Sequence, residues 1–282
     1  MQNELDRAVK EVGRNLAEAD VPKPDVLFLL GTGKGLLPEL VTIVEQVPLA
    51  GAPHPWTEET LTVARLGDLV VWILEDLGDD PRFPGQAPWR AGFPVWLSAR
   101  AGASVLVHVS AGSLLTRERS DLVAGGLAVV SDHLNLSGHS PLTGLGESGL
   151  GPLFPDQSLL HHRALRDAAL ERARGLALDV GEVVAACTAG PTVETDAERA
   201  WFRAAGADVA VQSLSTPVHA AAHAGMRALF VVALTDAGER PVKVASLARL
   251  AERTQPTIAA LLASLRVDLE AAVANLTDEE VG

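Results

Sequence analysis

Short apolar runs that alternate with longer helical patterns are the feature that most constrains the fold of this 282-residue chain. Residues 25–30, 104–109 and 227–234 are three of these runs, and each has the length of a buried strand. Patterns rich in Leu, Ala, Arg and Glu lie between the runs and favour helices. Strand–helix alternation of this kind predicts an α/β fold, in which helices cover both faces of a mixed or parallel sheet.

The predicted elements are distributed over the whole chain. Gly67 and Asp68 separate two apolar runs and predict a two-residue hairpin turn of type I′. The other predicted strands are 61–63, 69–74, 127–131, 183–188 and 209–211. The predicted helices are 88–101, 158–177, 196–205 with Thr195 or Asp196 as its N-cap, 217–224 and 243–276, the last broken near Pro256. Since no internal repeat or low-complexity linker interrupts this order, we expect a single domain over residues 1–282.

Charge and cysteine content exclude several classes of protein. The chain has 23 Lys and Arg against 36 Asp and Glu, a net charge of −13, whereas nucleic-acid phosphates are bound by clustered cations. A single cysteine, Cys187, allows no intramolecular disulfide and suits a reducing compartment. The first twenty residues contain no apolar segment typical of a secretory signal, and no run approaches the ~20 apolar residues that span a bilayer. We therefore expect a cytoplasmic protein with neither nucleic-acid nor membrane partners.

Two turns have the composition of an anion-binding site. Gly31-Thr-Gly-Lys-Gly35 follows a predicted strand and precedes a predicted helix, where backbone N–H groups and the helix dipole favour an anion. Its spacing matches neither the P-loop nor the dinucleotide fingerprint. Ser213 and Ser215 precede the predicted helix at Pro217 in a similar position. A turn that binds no ligand is the alternative interpretation for both segments.

Two acidic residues follow predicted strands. Glu194 lies in Gly190-Pro-Thr-Val-Glu-Thr195, and its carboxylate could accept hydrogen bonds from the N–H groups of a heterocycle. Asp236 ends the most hydrophobic strand of the C-terminal half and could exchange a proton with a ligand. The alternatives are that Glu194 or Asp196 caps the next helix, and that Asp236 forms a turn.

Histidine and cysteine patterns predict no metal site. His161 and His162 are adjacent on a predicted helix, and the pair His219 and His223 shares a helix face without a third ligand or an HExxH pattern. Cys187 falls inside a predicted strand, where it is interpreted as a small core residue.

Several motifs in one fixed order resemble the trimeric purine nucleoside phosphorylases. The resemblance covers roughly residues 25–238 and is most specific between 189 and 225. The motifs are Gly31-Thr-Gly33, Ser131-Asp-His-Leu-Asn-Leu136 with Pro141-Leu-Thr-Gly144, Ala189-Gly-Pro-Thr-Val-Glu-Thr195, Gly206-Ala-Asp208, Ala222-His-Ala-Gly225 and Leu234-Thr-Asp236.

The resemblance implies both a fold and a reaction. The fold would be a single nucleoside phosphorylase-like domain, with a partly barrel-like central mixed sheet flanked by helices, assembled as a homotrimer. The reaction would cleave the N-glycosidic bond of a purine nucleoside, with inorganic phosphate as co-substrate and no other cofactor. A site of this kind holds an anion under the sugar and stabilises charge on the leaving purine.

The resemblance also implies roles for individual residues. Glu194 would hold the purine ring N–H, and Asp236, where the family usually has Asn, would face the 6-substituent and N7. Val193 would replace a phenylalanine that packs on the base. The remaining implied contacts to the substrate are Gln212, Phe83, Ser110 and Ala111; those to phosphate are Thr32, Ser110, Ser213 and Arg82.

The chain departs from the family pattern at the phosphate site. The family's Arg and His fall at Asp79 and Pro81, and Arg82 is the cation nearest to them in the sequence. A carboxylate repels phosphate, whereas an Arg–phosphate pair is bidentate and charge-assisted. The aromatic residue that a neighbouring subunit lends in the family falls near Leu150.

These departures leave three functions open. The chain is either a divergent phosphorylase with an altered phosphate site, a catalytically silent protein that binds a purine or nucleoside, or a nucleoside hydrolase-like enzyme in which water replaces phosphate.

Overall fold

The computed structural model describes residues 3–32, 40–77, 85–116, 119–236 and 242–275. Its strands are β1 (Val26–Leu30), β2 (Thr42–Pro48), β3 (Thr60–Leu66), β4 (Leu69–Glu75), β5 (Val105–Leu114), β6 (Leu127–Asn135), β7 (Val180–Cys187), β8 (Val209–Val211) and β9 (Arg227–Asp236). Its helices are α1 (Glu4–Glu18), α2 (Phe93–Ala101), α3 (Arg163–Gly175), α4 (Asp196–Ala204), α5 (Ser215–His223), α6 (Val244–Ser264) and α7 (Arg266–Ala274).

The described strands form one mixed sheet that is partly closed. Their order is β2-β3-β4-β1-β5-β8-β7-β6-β9, and β9 also pairs with β5, so the last five strands in this order close on themselves. β1 is parallel to both β4 and β5, whereas β5 and β8 are antiparallel. The predicted α/β fold with a mixed, partly barrel-like sheet is therefore confirmed.

Two apolar layers hold the sheet between helices. Leu5, Val9, Val12 and Leu16 repeat at helical spacing on α1 and are buried on one face of the sheet. The other face is covered by α3, α6 and α7, which bury Leu165, Ile258, Leu262 and Leu269, among others. Continuous apolar strands such as β1, which is buried at every residue, follow from this two-sided cover.

Two local predictions are confirmed by the structure. β3 and β4 pair as an antiparallel hairpin, and Gly67 in its turn has a φ of 62°, a conformation that glycine adopts without steric cost. Asp68 does not share this positive φ, so the predicted turn type I′, which requires it at both central residues, is wrong. α4 begins where a helix cap is predicted: the Thr195 hydroxyl accepts a hydrogen bond from the Glu198 N–H, and Glu198 bonds back to the Thr195 N–H. The alternative in which Glu194 is that cap is therefore wrong.

The helix predicted over residues 158–177 begins later than expected. The described helix starts at Arg163, because the residues before it make other hydrogen bonds. The Asp156 carboxylate accepts hydrogen bonds from both the N–H and the hydroxyl of Ser158. The Ala228 N–H donates to the Leu160 carbonyl, and the Ala228 carbonyl accepts from the His162 N–H. His161 and His162 consequently precede the helix and lie beside β9, which the local propensity of the segment did not predict.

The helical break predicted near Pro256 is absent from the described part of the C-terminal region. α6 runs through Pro256 to Ser264, and the chain turns at Leu265 into α7. Thr254, Ile258 and Leu261 are buried on both sides of the proline, so packing against the sheet outweighs the backbone hydrogen bond that proline cannot donate.

Cys187 lies at the end of β7 in the apolar core, as predicted. Burial raises the pKa of its thiol to about 12, so the thiolate that reacts with oxidants and electrophiles is scarce at neutral pH. None of the helices in the described residues is long and apolar enough to cross a bilayer.

Candidate active site

The ends of three strands meet at the second half of β5. Ser113 in β5 pairs with Asp236 of β9 on one side and with Ala210 of β8 on the other. β7 pairs with β8 up to Cys187 and Val211. The loops that follow β7 and β8, and the last residue of β9, are thereby gathered around residues 110–114.

Glu194 and Asp236 meet at one buried guanidinium, that of Arg199. One nitrogen of Arg199, Nη1, lies 3.6 Å from Oε2 of Glu194 and 3.7 Å from Oδ2 of Asp236. The other terminal nitrogen, Nη2, donates a hydrogen bond to the Leu114 carbonyl of β5. The two carboxylates, 42 residues apart in sequence (236 − 194), therefore occupy one place in the fold.

Because the cluster is buried, its stability depends on the pairing of its charged groups. The side chains of Glu194, Arg199 and Asp236 are each 7 % exposed or less. Charged groups are seldom buried unless they are paired, because desolvation costs several kcal/mol per ion. The carboxylate oxygens are hydrogen-bond acceptors, which suits a ligand that donates hydrogen bonds.

Arg199 was not identified from the sequence. It lies on the first turns of α4, and the Thr195 cap fixes the direction in which this helix leaves the Glu194 loop. A basic residue five positions after Glu194 is an ordinary solvent-facing pattern on a helix, so the sequence carries no signal for its burial. Only the packing of α4 against β5 brings it to both carboxylates.

Gln212 supports the loop that carries Val193 and Glu194. Its Nε2 donates to the Thr192 carbonyl at 2.8 Å. A Cβ at Gly190 would lie 2.7 Å from Oε1 of Gln212, so the Gln212 side chain packs directly against this part of the loop. Val193 is 39 % exposed, in contrast to the buried carboxylate beside it. Gln212 is therefore hydrogen-bonded to the loop that contains Val193 and Glu194.

The residues predicted to bind phosphate divide into three groups. The Gly31 N–H donates to the Val109 carbonyl at 2.7 Å, and a Cβ at Gly31 would lie 3.7 Å from the Ser110 Cα, so Thr32 directly follows a residue that lies beside Ser110 of β5. Ser213 follows β8, and the antiparallel register of β8 with β5, extended beyond its last pair, leads it toward Ser110. Arg82 and Phe83, together with Asp79 and Pro81, lie outside the described residues.

Ser110 and Ala111 face opposite sides of β5. Ser110 is 1 % exposed, and its hydroxyl has no hydrogen-bond partner among the residues that the structure describes. Buried hydroxyls normally have a partner, so this one is a candidate for a contact with a ligand or an ordered water. Ala111 is exposed on the other side of β5.

A buried His–Asp pair lies beneath this region and was also missed by sequence reasoning. Nε2 of His108 lies 2.7 Å from Oδ2 of Asp76, with side chains 0 % and 4 % exposed. His108 shares a face of β5 with Ser110, and a Cβ at Gly31 would lie 3.8 Å from the Asp76 Cβ. Asp76 directly follows β4, the parallel neighbour of β1, and that placement was the available signal.

Comparisons with known proteins agree with this architecture. A family model described as "Phosphorylase superfamily" matches residues 25–265. Purine nucleoside phosphorylase 1 of Bacillus subtilis (strain 168) is 30 % identical over 244 residues, which cover 84 % of this chain and 86 % of that protein. Purine nucleoside phosphorylase of Mycobacterium tuberculosis is 33 % identical over 220 residues, which cover 75 % of this chain and 76 % of that protein.

Solved structures show the same fold. Isoform 2 of purine nucleoside phosphorylase from Schistosoma mansoni, in complex with cytosine and ribose-1-phosphate, has a TM-score of 0.79 at 21 % identity, covering 92 % of this chain and 95 % of that one. A Schistosoma purine nucleoside phosphorylase in complex with guanosine has a TM-score of 0.77 at 20 % identity, with the same coverage.

Proposed function

Since this chain belongs to the phosphorylase superfamily, within which the relatives above are purine nucleoside phosphorylases, we propose that it cleaves the N-glycosidic bond of purine nucleosides with phosphate. The observation that carries this proposal is the buried cluster that unites Glu194 and Asp236 at the end of β5. Both residues were selected from the sequence for contacts with a purine, and such contacts require that they lie together.

In the proposed mechanism the carboxylates bind the base and an anion attacks the sugar. Glu194 accepts a hydrogen bond from a ring N–H of the purine, and Asp236 accepts one from a 6-amino group when ionised or donates one to N7 when protonated. A phosphate oxygen then forms a bond to the anomeric carbon as the C–N bond breaks, and the electron pair of that bond leaves with the purine. Arg199 holds both carboxylates in place by Coulomb attraction.

The proposed phosphate-binding site consists of Thr32, Ser110 and Ser213, with Arg82 as the candidate cation. Ser110 contributes a buried hydroxyl next to the turn at Gly31 and Thr32. Since Asp79 and Pro81 stand where the family has Arg and His, we propose that neutral donors carry more of the phosphate binding here, at a cost in affinity for phosphate.

The test of the proposed function is the release of free base from inosine and adenosine, with and without phosphate. We expect release that depends on phosphate and yields ribose 1-phosphate. Release at the same rate without phosphate would identify a hydrolase instead. Calorimetric binding of purines without any turnover would identify a catalytically silent binding protein, and the absence of both binding and turnover would refute all three functions.

Replacing Asp236 with asparagine is expected to change the preferred base. An ionised Asp236 only accepts hydrogen bonds, which favours a 6-amino group, whereas asparagine both donates and accepts and suits a 6-oxo group with N7. We expect the ratio of adenosine to inosine turnover, kcat/KM, to fall by about tenfold, equivalent to ~1.4 kcal/mol. An unchanged ratio in Asp236→Asn would remove this residue from base recognition.

We also propose that the chain forms a homotrimer in the cytoplasm. An exposed apolar segment supports an assembly: Phe154 is 88 % exposed, Leu159 84 % and Leu153 54 %. Clustered apolar side chains of this size commonly mark a protein interface. Light scattering after size exclusion is expected to give about three times the chain mass of 29.5 kDa. A monomeric mass at micromolar concentration would exclude the trimer.

A further inference from the structure

Two histidines that are distant in sequence contact each other beside an exposed aspartate. Nδ1 of His133 in β6 lies 2.9 Å from Nε2 of His161, which precedes α3. The Asp132 carboxylate lies 3.9 Å from Nδ1 of His133. One ligand atom from each of the three residues lies within 4.8 Å of the other two.

The side chain of Asp132 folds back toward the next residue, and this brings the two consecutive residues to one place. Along an ordinary strand Asp132 and His133 would point to opposite faces. The pairing of β6 with β7 shifts between Val130 and Asp132, which leaves one residue unpaired at that point. The Asp132 carboxylate also folds back and accepts a hydrogen bond from the His133 N–H at 2.8 Å.

The surroundings of the two imidazoles keep them neutral and fixed. Burial, together with their mutual repulsion when charged, lowers the pKa of His161 to about 4, and burial also lowers that of His133. The His161 ring packs against Phe230 with 5.1 Å between ring centroids. Neutral imidazole nitrogens carry the lone pair that a metal ion requires.

A third imidazole stands next to the pair. The His219 ring centroid lies 6.0 Å from that of His133. Its Nδ1 lies 2.6 Å from the Ser215 carbonyl, which only accepts, so Nδ1 carries the proton and Nε2 keeps its lone pair. This is the arrangement of a histidine whose tautomer is fixed by a backbone carbonyl, as is usual for metal ligands.

We propose that Asp132, His133 and His161 form a binding site for a divalent transition metal ion of the zinc type. Two imidazoles and a carboxylate suit Zn²⁺, Co²⁺ or Ni²⁺, whereas Mg²⁺ and Ca²⁺ prefer sites made of oxygen ligands. Metal–ligand bonds of ~2.0–2.1 Å place the ligand atoms of a tetrahedral site about 3.3 Å apart. The two imidazoles must therefore separate by a few tenths of an ångström, and the exposed Asp132 side chain, 75 % accessible, must turn inward.

The ion has a route to the site from solvent. Asp132 lies at the surface, and His161 lines an open cavity of about 810 Å³ together with His162, Arg166 and Met226. This site is separate from the cluster of Glu194, Arg199 and Asp236, and its test does not depend on catalysis.

The experiment is a titration of the untagged, chelator-treated chain with Co²⁺, followed by visible absorption, and with Zn²⁺, followed by calorimetry. We expect saturation at one ion per chain and a spectrum of four- or five-coordinate Co²⁺. The variant Asp132→Asn changes an exposed side chain and is expected to weaken binding by at least tenfold, and His161→Gln is expected to abolish it.

His139→Gln is the matched control, because His139 is exposed and lies in the loop after β6 outside the three-residue cluster. Its affinity for Co²⁺ is expected to equal that of the unmodified chain. Circular dichroism checks that each variant is folded. No saturable binding by the unmodified chain would overturn the proposal, and so would binding that both Asp132→Asn and a folded His161→Gln retain.

Discussion

Replacing Arg199 with methionine is expected to lower the free energy of unfolding by about 3–5 kcal/mol, as is typical when one partner of a buried ion pair is removed. Methionine fills a similar volume but leaves Glu194 and Asp236 as two buried carboxylates without their guanidinium. It also removes the hydrogen bond to the Leu114 carbonyl. Urea denaturation followed by circular dichroism gives the difference directly.

Arg203→Met is the matched control for this prediction. Arg203 lies one turn later on α4 and donates a hydrogen bond to the Leu115 carbonyl, but its own side chain is largely exposed. We expect a loss of no more than about 1 kcal/mol for this variant. A comparable loss in both variants would mean that Arg199 acts only through its backbone contact and its methylene groups.

A combined variant tests whether uncompensated charge causes the loss. Adding Glu194→Gln and Asp236→Asn to Arg199→Met removes all three charges, and neutral amides cost less to bury than carboxylates do. We expect the combined variant to recover about half or more of the lost free energy, by analogy with buried ion pairs replaced as a set. A combined loss equal to the sum of the single losses would contradict the charge explanation.

Replacing Glu194 with alanine is expected to reduce the affinity for purine bases by about 10- to 100-fold. A hydrogen bond to a charged group contributes roughly 1.5–3 kcal/mol, and the proposed base contact depends on this carboxylate. Arg199 retains Asp236 as a partner, so the fold should tolerate the change. Calorimetric titration with hypoxanthine, guanine and adenine measures the effect.

Glu198→Gln is the control, since Glu198 lies four residues later in the same segment and its amide can preserve the capping box at Thr195. Its purine affinity is expected to stay within about twofold of the unmodified chain, because Glu198 is exposed and its carboxylate bonds to Thr195. Purine affinity that survives in Glu194→Ala would place the base elsewhere and would remove the main support for the proposed function.

The structural elements that are determined by residues close together in the sequence could be predicted from the sequence. Apolar runs identified strands such as β1 and β9, Gly67 marked a hairpin turn, and Thr195 marked a helix start. The order of the family motifs likewise anticipated the mixed, partly closed sheet. Each of these signals operates over a few residues or reflects the family as a whole, so no knowledge of packing was needed.

Local propensity failed where tertiary contacts supplied better partners. The helix predicted from residue 158 starts at Arg163, because Leu160 and His162 form backbone hydrogen bonds with Ala228 of β9 instead. α6 passes through Pro256 because buried side chains on both sides hold it against the sheet. In each case a contact distant in sequence outweighed a preference of about 1–3 kcal/mol.

The sequence by itself determined the alternation of strands and helices and the choice of Glu194 and Asp236 as residues that should act together. The tertiary structure alone decided that Arg199 joins these two carboxylates and that His133 lies against His161. The physical reason is that hydrophobic patterning specifies which face of an element is buried, but not which charged or polar side chains then share that interior. The contacts between those side chains depend on strand register, on the bulge in β6 and on the direction in which α4 extends from its N-cap.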